Sequence, residues 1–240
     1  KRWGGLHKHP FMPGVKGYPE LLEIVKKEDD IHTLGGDWHT DQMFTPVPAL
    51  ATMLYAKETP PSGGDTLFSN MYLAYDALSA PIKQLVDGLR CIHAFAPPAG
   101  AKTVDEYDKS VKRRTLKTEH PMVTVHPESG ERLLFLSPSF VKSIVGVSPR
   151  ESQRLLEMLW EHVVRTEFTV RFKWNAGDIA MWDNRATAHL APNDIFDSNF
   201  DRQLYRITLV GDVPCGVDGA PSVSLEGEPI LSVEEELARR

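Results

Sequence analysis

Hydrophobic and polar positions alternate in short runs along this chain, and the runs are broken by Gly and Pro. The plainest run is Phe168-Thr-Val-Arg-Phe-Lys-Trp174, which is apolar at every second residue. That period predicts a half-buried strand. Ala49 to Lys57 is short and mostly apolar and reads as a buried strand, ended by the turn signal Pro60-Pro-Ser-Gly-Gly-Asp65. Thr66 to Ser69, Ile179 to Trp182 and Gln203 to Val210 are further strand candidates. Met122 to His126 and Leu133 to Leu136 flank Pro127-Glu-Ser-Gly130, which predicts a hairpin. Leu73 to Leu89 reads as two short helices broken near Pro81. Ser148-Pro-Arg-Glu151 is a capping box with Pro at the first helical position. After it, Leu155, Leu156, Leu159, Trp160 and Val163 recur at helical spacing. Residues 97–120 are rich in Pro, Gly, Lys and Asp and read as a long loop or lid. The tail after Pro214 is Gly/Pro/Ser-rich, with a short helix over Val233 to Arg240. Many short strands and one well-marked helix predict a β-sandwich or barrel carrying helices outside. A jelly roll fits best, because its two sheets bring residues far apart in sequence to one interior mouth.

Composition narrows the class without naming a function. The chain has 240 residues, 41% hydrophobic and 25% charged, which suits a soluble globular protein of one large domain or two small ones. The net charge of −6 argues against nucleic acid as a partner. No apolar run is long enough to span a membrane and no signal-peptide pattern is visible. Cys91 and Cys215 are far apart and in no CxxC, so a reduced, cytoplasmic setting is expected. The chain opens at Lys1, directly in a motif-like segment, so a catalytic domain over 1–240 that lacks its N-terminal segment is expected.

The candidate chemistry lies in Trp38-His39-Thr40-Asp41 and in the distant His189. Two imidazoles and a carboxylate on one face of a metal leave three positions open, the facial triad of non-haem Fe(II) oxygenases. On a strand, residues two apart face the same way, so His39 and Asp41 can aim at one ion. An HxD alone is a common tripeptide, a lone buried His is more often structural, and Zn, Mn or Ni could take the same donors.

The company these residues keep is specific. Leu6-His-Lys-His-Pro10, Trp38-His-Thr-Asp41, Gly63-Gly-Asp-Thr-Leu67, Trp182-Asp-Asn-Arg185 to His189, and Asp201-Arg-Gln-Leu-Tyr-Arg206 stand in this order. Together they resemble the taurine dioxygenase (TauD/TfdA) family of Fe(II)- and α-ketoglutarate-dependent dioxygenases, from about Gly5 to Asp212. The resemblance implies a double-stranded β-helix, a jelly-roll variant. It also implies Fe(II) held by His39, Asp41 and His189, with α-ketoglutarate and O2 as co-substrates. Arg202 is then the clamp on the far carboxylate of α-ketoglutarate and Thr66 its hydroxyl partner. Strand parity adds an independent point. Arg202, Leu204 and Arg206 share a face, and four residues separate the two arginine backbones by ~13 Å. Arg206 therefore lies nearer the metal, where it can meet the near carboxylate or an anionic substrate; its alternative is a surface cation.

For the substrate, the resemblance assigns His9 to an anionic group and Phe140 to the wall; Phe44 extends that wall, and core packing is the alternative for both rings. Where taurine-specific members carry a Tyr and an Asn, this chain has Met12 and Gly35. The expected substrate is a larger, more apolar anion: an alkyl sulfonate, a sulfate ester or an aryloxyalkanoate. Taurine itself, a non-catalytic α-ketoglutarate-binding protein on the same scaffold, and a Zn(II) hydrolase or isomerase are the alternatives. Family members are commonly dimers or tetramers, so a homo-oligomer is expected.

Overall fold

A computed structural model describes residues 3–10, 12–27, 35–95, 115–195, 200–227 and 232–238. Strand β1 (Leu22–Lys26) is followed by β2 (Ala49–Glu58), β3 (Thr66–Asn70), α1 (Met71–Asp76), α2 (Ala80–Asp87) and β4 (Arg90–Phe95). Next come β5 (Leu116–Pro121), β6 (Val123–Val125), β7 (Arg132–Leu134), β8 (Val141–Ile144) and α3 (Pro149–Val163). The chain continues through β9 (Thr169–Phe172), β10 (Ile179–Asp183), β11 (Thr187–Leu190), β12 (Arg202–Val210), β13 (Val223–Glu226) and α4 (Val233–Ala238).

Two sheets make the jelly roll, one ordered β1-β12-β2-β10 and the other β11-β3-β9. Their neighbours pair antiparallel. The expected double-stranded β-helix is thus the observed architecture. Leu54, Ala56, Trp174, Trp182 and Leu204 form the apolar layer between the sheets. A third sheet, β13-β5-β4-β8, and the β6-β7 hairpin enclose a second, larger core with α1 and α3. In β12 the residues Arg202, Leu204, Arg206 and Thr208 are buried while Gln203, Tyr205 and Ile207 between them are less so. Both arginines therefore face inward, as their shared parity predicts.

The capping box at Ser148 is formed in both directions. The Glu151 amide donates to Ser148 Oγ and the Ser148 amide donates to Glu151 Oε2. Pro81 stands in the first turn of α2, so the break near Pro81 falls between α1 and α2. Two expectations need correction. Residues 97–120 are not all loop, because Leu116–Pro121 pairs with both β4 and β13; residues 97–114 lie outside the described residues. His39 and Asp41 do not share a strand. His39 makes a single bridge to His189, and Asp41 opens a run of turns. The next residue, Gln42, has φ 58°, a left-handed conformation that reverses the chain where a strand would continue. No helix among the described residues is long and apolar enough to cross a membrane.

Candidate metal centre and its two cavities

The backbones of His39 and His189 exchange hydrogen bonds, N–H to O at 2.9 and 2.7 Å. This single bridge sets the two imidazoles side by side, with ring centroids 4.1 Å apart. Thr40 anchors the segment: its amide donates to Ser137 Oγ at 3.1 Å and its hydroxyl to the Thr187 carbonyl at 3.0 Å. Asp41 Oδ1 then lies 3.8 Å from His39 Nε2 and 3.9 Å from His189 Nε2. Among the described residues, these three make the His/Cys/Asp/Glu group whose donor atoms converge, all within 4.8 Å.

Protonation suits a cation. Burial holds both imidazoles below their ordinary pKa, His189 well below, so both are neutral at pH 7. Burial works to raise the Asp41 pKa, but the Arg206 guanidinium and the hydrogen bond from Thr52 outweigh it, and the carboxyl stays ionised. Arg206 Nη2 is 2.8 Å from Asp41 Oδ1. His39 Nδ1 donates to the Asp37 carbonyl at 2.8 Å, which fixes the tautomer and leaves the Nε2 lone pair toward Asp41. His189 Nδ1 has no hydrogen-bond partner among the described residues. Its ring is held by packing against Trp182, with centroids 4.8 Å apart, and Phe68, at 6.2 Å. Two neutral imidazoles and a carboxylate, buried and convergent, fit a divalent ion such as Fe(II).

Two cavities meet at this centre. The first is narrow and lined by Thr66, Trp182, His39, His189, Arg202 and Arg206. Arg202 Nε is buried without a hydrogen-bond partner among the described residues, and burial lowers the guanidinium pKa to about 10. Trp174 Nε1 donates to Thr66 Oγ1 at 3.0 Å, so the hydroxyl keeps its own hydrogen for an acceptor. A buried cation and an uncommitted hydroxyl in one slot fit a carboxylate. Gly64 makes room for the guanidinium: a Cβ there would stand 3.2 Å from Arg202 Cδ and Nε, and its φ of 70° already favours glycine.

The second cavity, about 330 Å³, opens on the other side of His39. His9, Met12, Gly35, Asp37, Phe44 and Phe140 all line it. The three phenylalanines Phe44, Phe95 and Phe140 pack together at 4.9 to 6.1 Å, and Phe140 reaches His39 at 6.4 Å. Phe44 is thus both core and wall. The Met12 amide donates to His9 Nδ1 at 3.0 Å, so in the neutral ring Nε2 carries the hydrogen. Burial, with Arg206 adding to it, lowers the His9 pKa to about 3. Arg206 lines both cavities. A Cβ on Gly35 would come 3.0 Å from His39 Cε1, so this glycine keeps the space over the ligand open.

Comparison with known proteins matches the sequence, over residues 1–208, to the family described as "Taurine catabolism dioxygenase TauD, TfdA family". The chain belongs to the TauD/TfdA family. It is therefore an enzyme of the α-ketoglutarate-dependent dioxygenase class. An α-ketoglutarate-dependent sulfate ester dioxygenase of Pseudomonas putida is 40% identical over 88% of this chain and 70% of its own length. An alkylsulfatase of Acinetobacter baylyi is 35% identical over 90% of this chain and 69% of its own. Among solved structures, a putative α-ketoglutarate-dependent taurine dioxygenase from Burkholderia xenovorans superposes with TM-score 0.82 at 54% identity, covering 95% of this chain and 78% of that one.

Sequence reasoning named nine residues for this TauD/TfdA site: His39, Asp41, His189, Thr66, Arg202, Arg206, His9, Phe44 and Phe140. All nine line one or both cavities. It missed Phe95 and Asp37, which line the wider cavity, and Thr52 and Asn184, which lie behind Asp41. Thr52 shares the inward parity of Leu54 and Ala56, but nothing in the sequence pairs it with a carboxylate.

Proposed function

We propose that this chain is an Fe(II)- and α-ketoglutarate-dependent dioxygenase that hydroxylates a small, largely apolar organic anion, with a sulfate ester or alkyl sulfonate as the leading class and an aryloxyalkanoate next. One observation carries the reading: a carboxylate-fitting slot and an aromatic-walled cavity meet at His39, with Arg206 lining both. His39, Asp41 and His189 hold the iron. Arg202 and Thr66 grip the far carboxylate of α-ketoglutarate, and Arg206 neutralises charge near the metal. The iron and its co-substrate supply oxidising power from O2, with succinate and CO2 released. The protein's share is positioning. His9 Nε2–H donates to the anionic head as a neutral hydrogen-bond donor, and Phe44, Phe95 and Phe140 hold the apolar body and exclude water. Hydroxylation of the carbon bonded to the sulfate oxygen gives a product that collapses to an aldehyde and sulfate, with one oxygen atom from O2 in the aldehyde precursor and the other in succinate.

Met12 and Gly35 offer a zwitterion no side-chain hydrogen-bonding group in the cavity, which counts against taurine. Asp37 in the same wall favours instead an ammonium-bearing substrate. O2-dependent succinate release decides between them. Alkyl sulfates, sulfonates and aryloxy acids should each drive it well above taurine, and Asp41→Ala or His39→Ala should abolish it. Taurine turning over as fast as the sulfates would overturn the substrate class, and full activity in Asp41→Ala would overturn the metal centre.

A further inference from the structure

We infer that Trp182, Asn184 and Thr52 form a one-directional hydrogen-bond relay that fixes the Asp41 carboxylate and thereby sets how tightly the site grips its metal. The inference rests on reading His39, Asp41 and His189 as metal ligands. Trp182 Nε1 donates to Asn184 Oδ1 at 3.1 Å, Asn184 Nδ2 to Thr52 Oγ1 at 2.9 Å, and Thr52 Oγ1 to Asp41 Oδ2 at 2.6 Å. Chemistry dictates the direction. An indole N–H can only donate, so the Asn184 oxygen faces it and the amide nitrogen faces Thr52. That nitrogen can only donate, so the Thr52 hydroxyl spends its single hydrogen on the carboxylate, which can only accept. The last bond has the length of a charge-assisted O–H···O⁻ contact.

All four side chains are buried, between 0% and 8% exposed, so water cannot replace a missing link. Asp41 needs such a device because it has left the sheet ladder and precedes the left-handed Gln42. With Oδ2 occupied, Oδ1 alone faces the two imidazole Nε2 atoms. The relay therefore turns Oδ1 toward the imidazoles, and that oxygen would be the one to ligate a metal. Trp182 is placed to steady two ligands, through its N–H for Asp41 and through its ring for His189. Thr52, Asn184 and Trp182 are positioning residues.

The test is direct titration of the chelator-treated full chain with Co(II), read in the visible, and with Mn(II), read by electron paramagnetic resonance. Thr52→Val keeps the shape and removes the donor. Asn184→Asp still accepts from Trp182 but has no N–H to give, so the Thr52 hydroxyl can turn away from Asp41. Each should weaken metal binding about tenfold or more and alter the Co(II) bands, while Thr52→Ser stays close to the parent. The double variant should bind no worse than the poorer single one, because both break one chain. Parent-like Co(II) affinity and bands in Thr52→Val overturn the relay, as do additive losses in the double variant. So does a loss in Thr52→Val that vanishes once binding is counted per folded molecule by circular dichroism. A parent chain that binds no Co(II) removes the metal reading itself, an outcome distinct from a parent that binds and a Thr52→Val that binds equally.

Discussion

At the scale of single residues, the site works by leaving particular groups unmatched. Arg202 is buried with its Nε unpaired among the described residues, and Thr66, accepting from Trp174, still has its hydroxyl hydrogen to give. Such groups cost stability until an acceptor arrives. Arg202→Ala should therefore weaken α-ketoglutarate binding by about thirtyfold or more, the range for removing one partner of a buried charged pair. Anaerobic titration of the Fe(II)–α-ketoglutarate charge-transfer band reads this directly. The Co(II) affinity of Arg202→Ala should stay near the parent's, since the guanidinium is not among the converging donors. Equal α-ketoglutarate affinity in the two proteins would move the clamp elsewhere. The family resemblance singled out Arg202 as the clamp, and strand parity put it on one face with Arg206. It could not single out Thr52, an ordinary β-branched residue in a strand.

At the scale of elements, local signals and long-range pairing divide the work. The helix α3 announces itself through Ser148, Pro149 and Glu151 and through its apolar spacing, and it lies where those signals put it. Ser148→Ala should cost about 1 kcal/mol, seen as a lower urea midpoint with an unchanged slope; no shift in midpoint would mean the cap is dispensable. The strands are less even. β2, β3, β10 and β12 were legible from apolar runs or parity, whereas β4, β8, β11 and β13 were not. β11 is four residues long and half polar, and is a strand because it pairs with β3. β13 alternates Val-Ser-Leu-Glu but is four residues long and exposed throughout, so no buried face supports it and its pairing with β5 is tertiary. Register matters most at β2 and β10, where Thr52 stands opposite Trp182. A slip of one residue would turn Thr52 to the outer face and break the path to Asp41.

At the scale of the whole molecule, burial of neutral histidines ties stability to pH. Burial, the leading cause in each, lowers His7 to about 3 and His120 to about 4. In the unfolded chain these rings titrate near 6.5, so below that pH the unfolded state binds more protons and stability falls. The metal-free protein should accordingly lose on the order of 1–2 kcal/mol per such histidine between pH 7 and pH 5. Chemical denaturation at the two pH values measures it, and equal stability at both would contradict neutral burial. What the sequence determined by itself was the donor set and its order: two histidines, one aspartate and two arginines of one parity, inside motifs that few other folds would combine. It also pointed to the class of fold, because many short alternating runs with a single well-marked helix leave a second sheet as the main partner for their apolar sides. Only the tertiary structure decided how the carboxylate is held. Thr52 and Asn184 are 132 residues apart, and their hydrogen bond exists because β2 and β10 pair in one register. It also decided that His39 meets His189 through a single bridge, and that a left-handed Gln42 turns the chain beside them. Motif residues are chosen by the chemistry they perform, which a sequence displays. Their supports are chosen by distance and direction, which exist only once the sheets have closed.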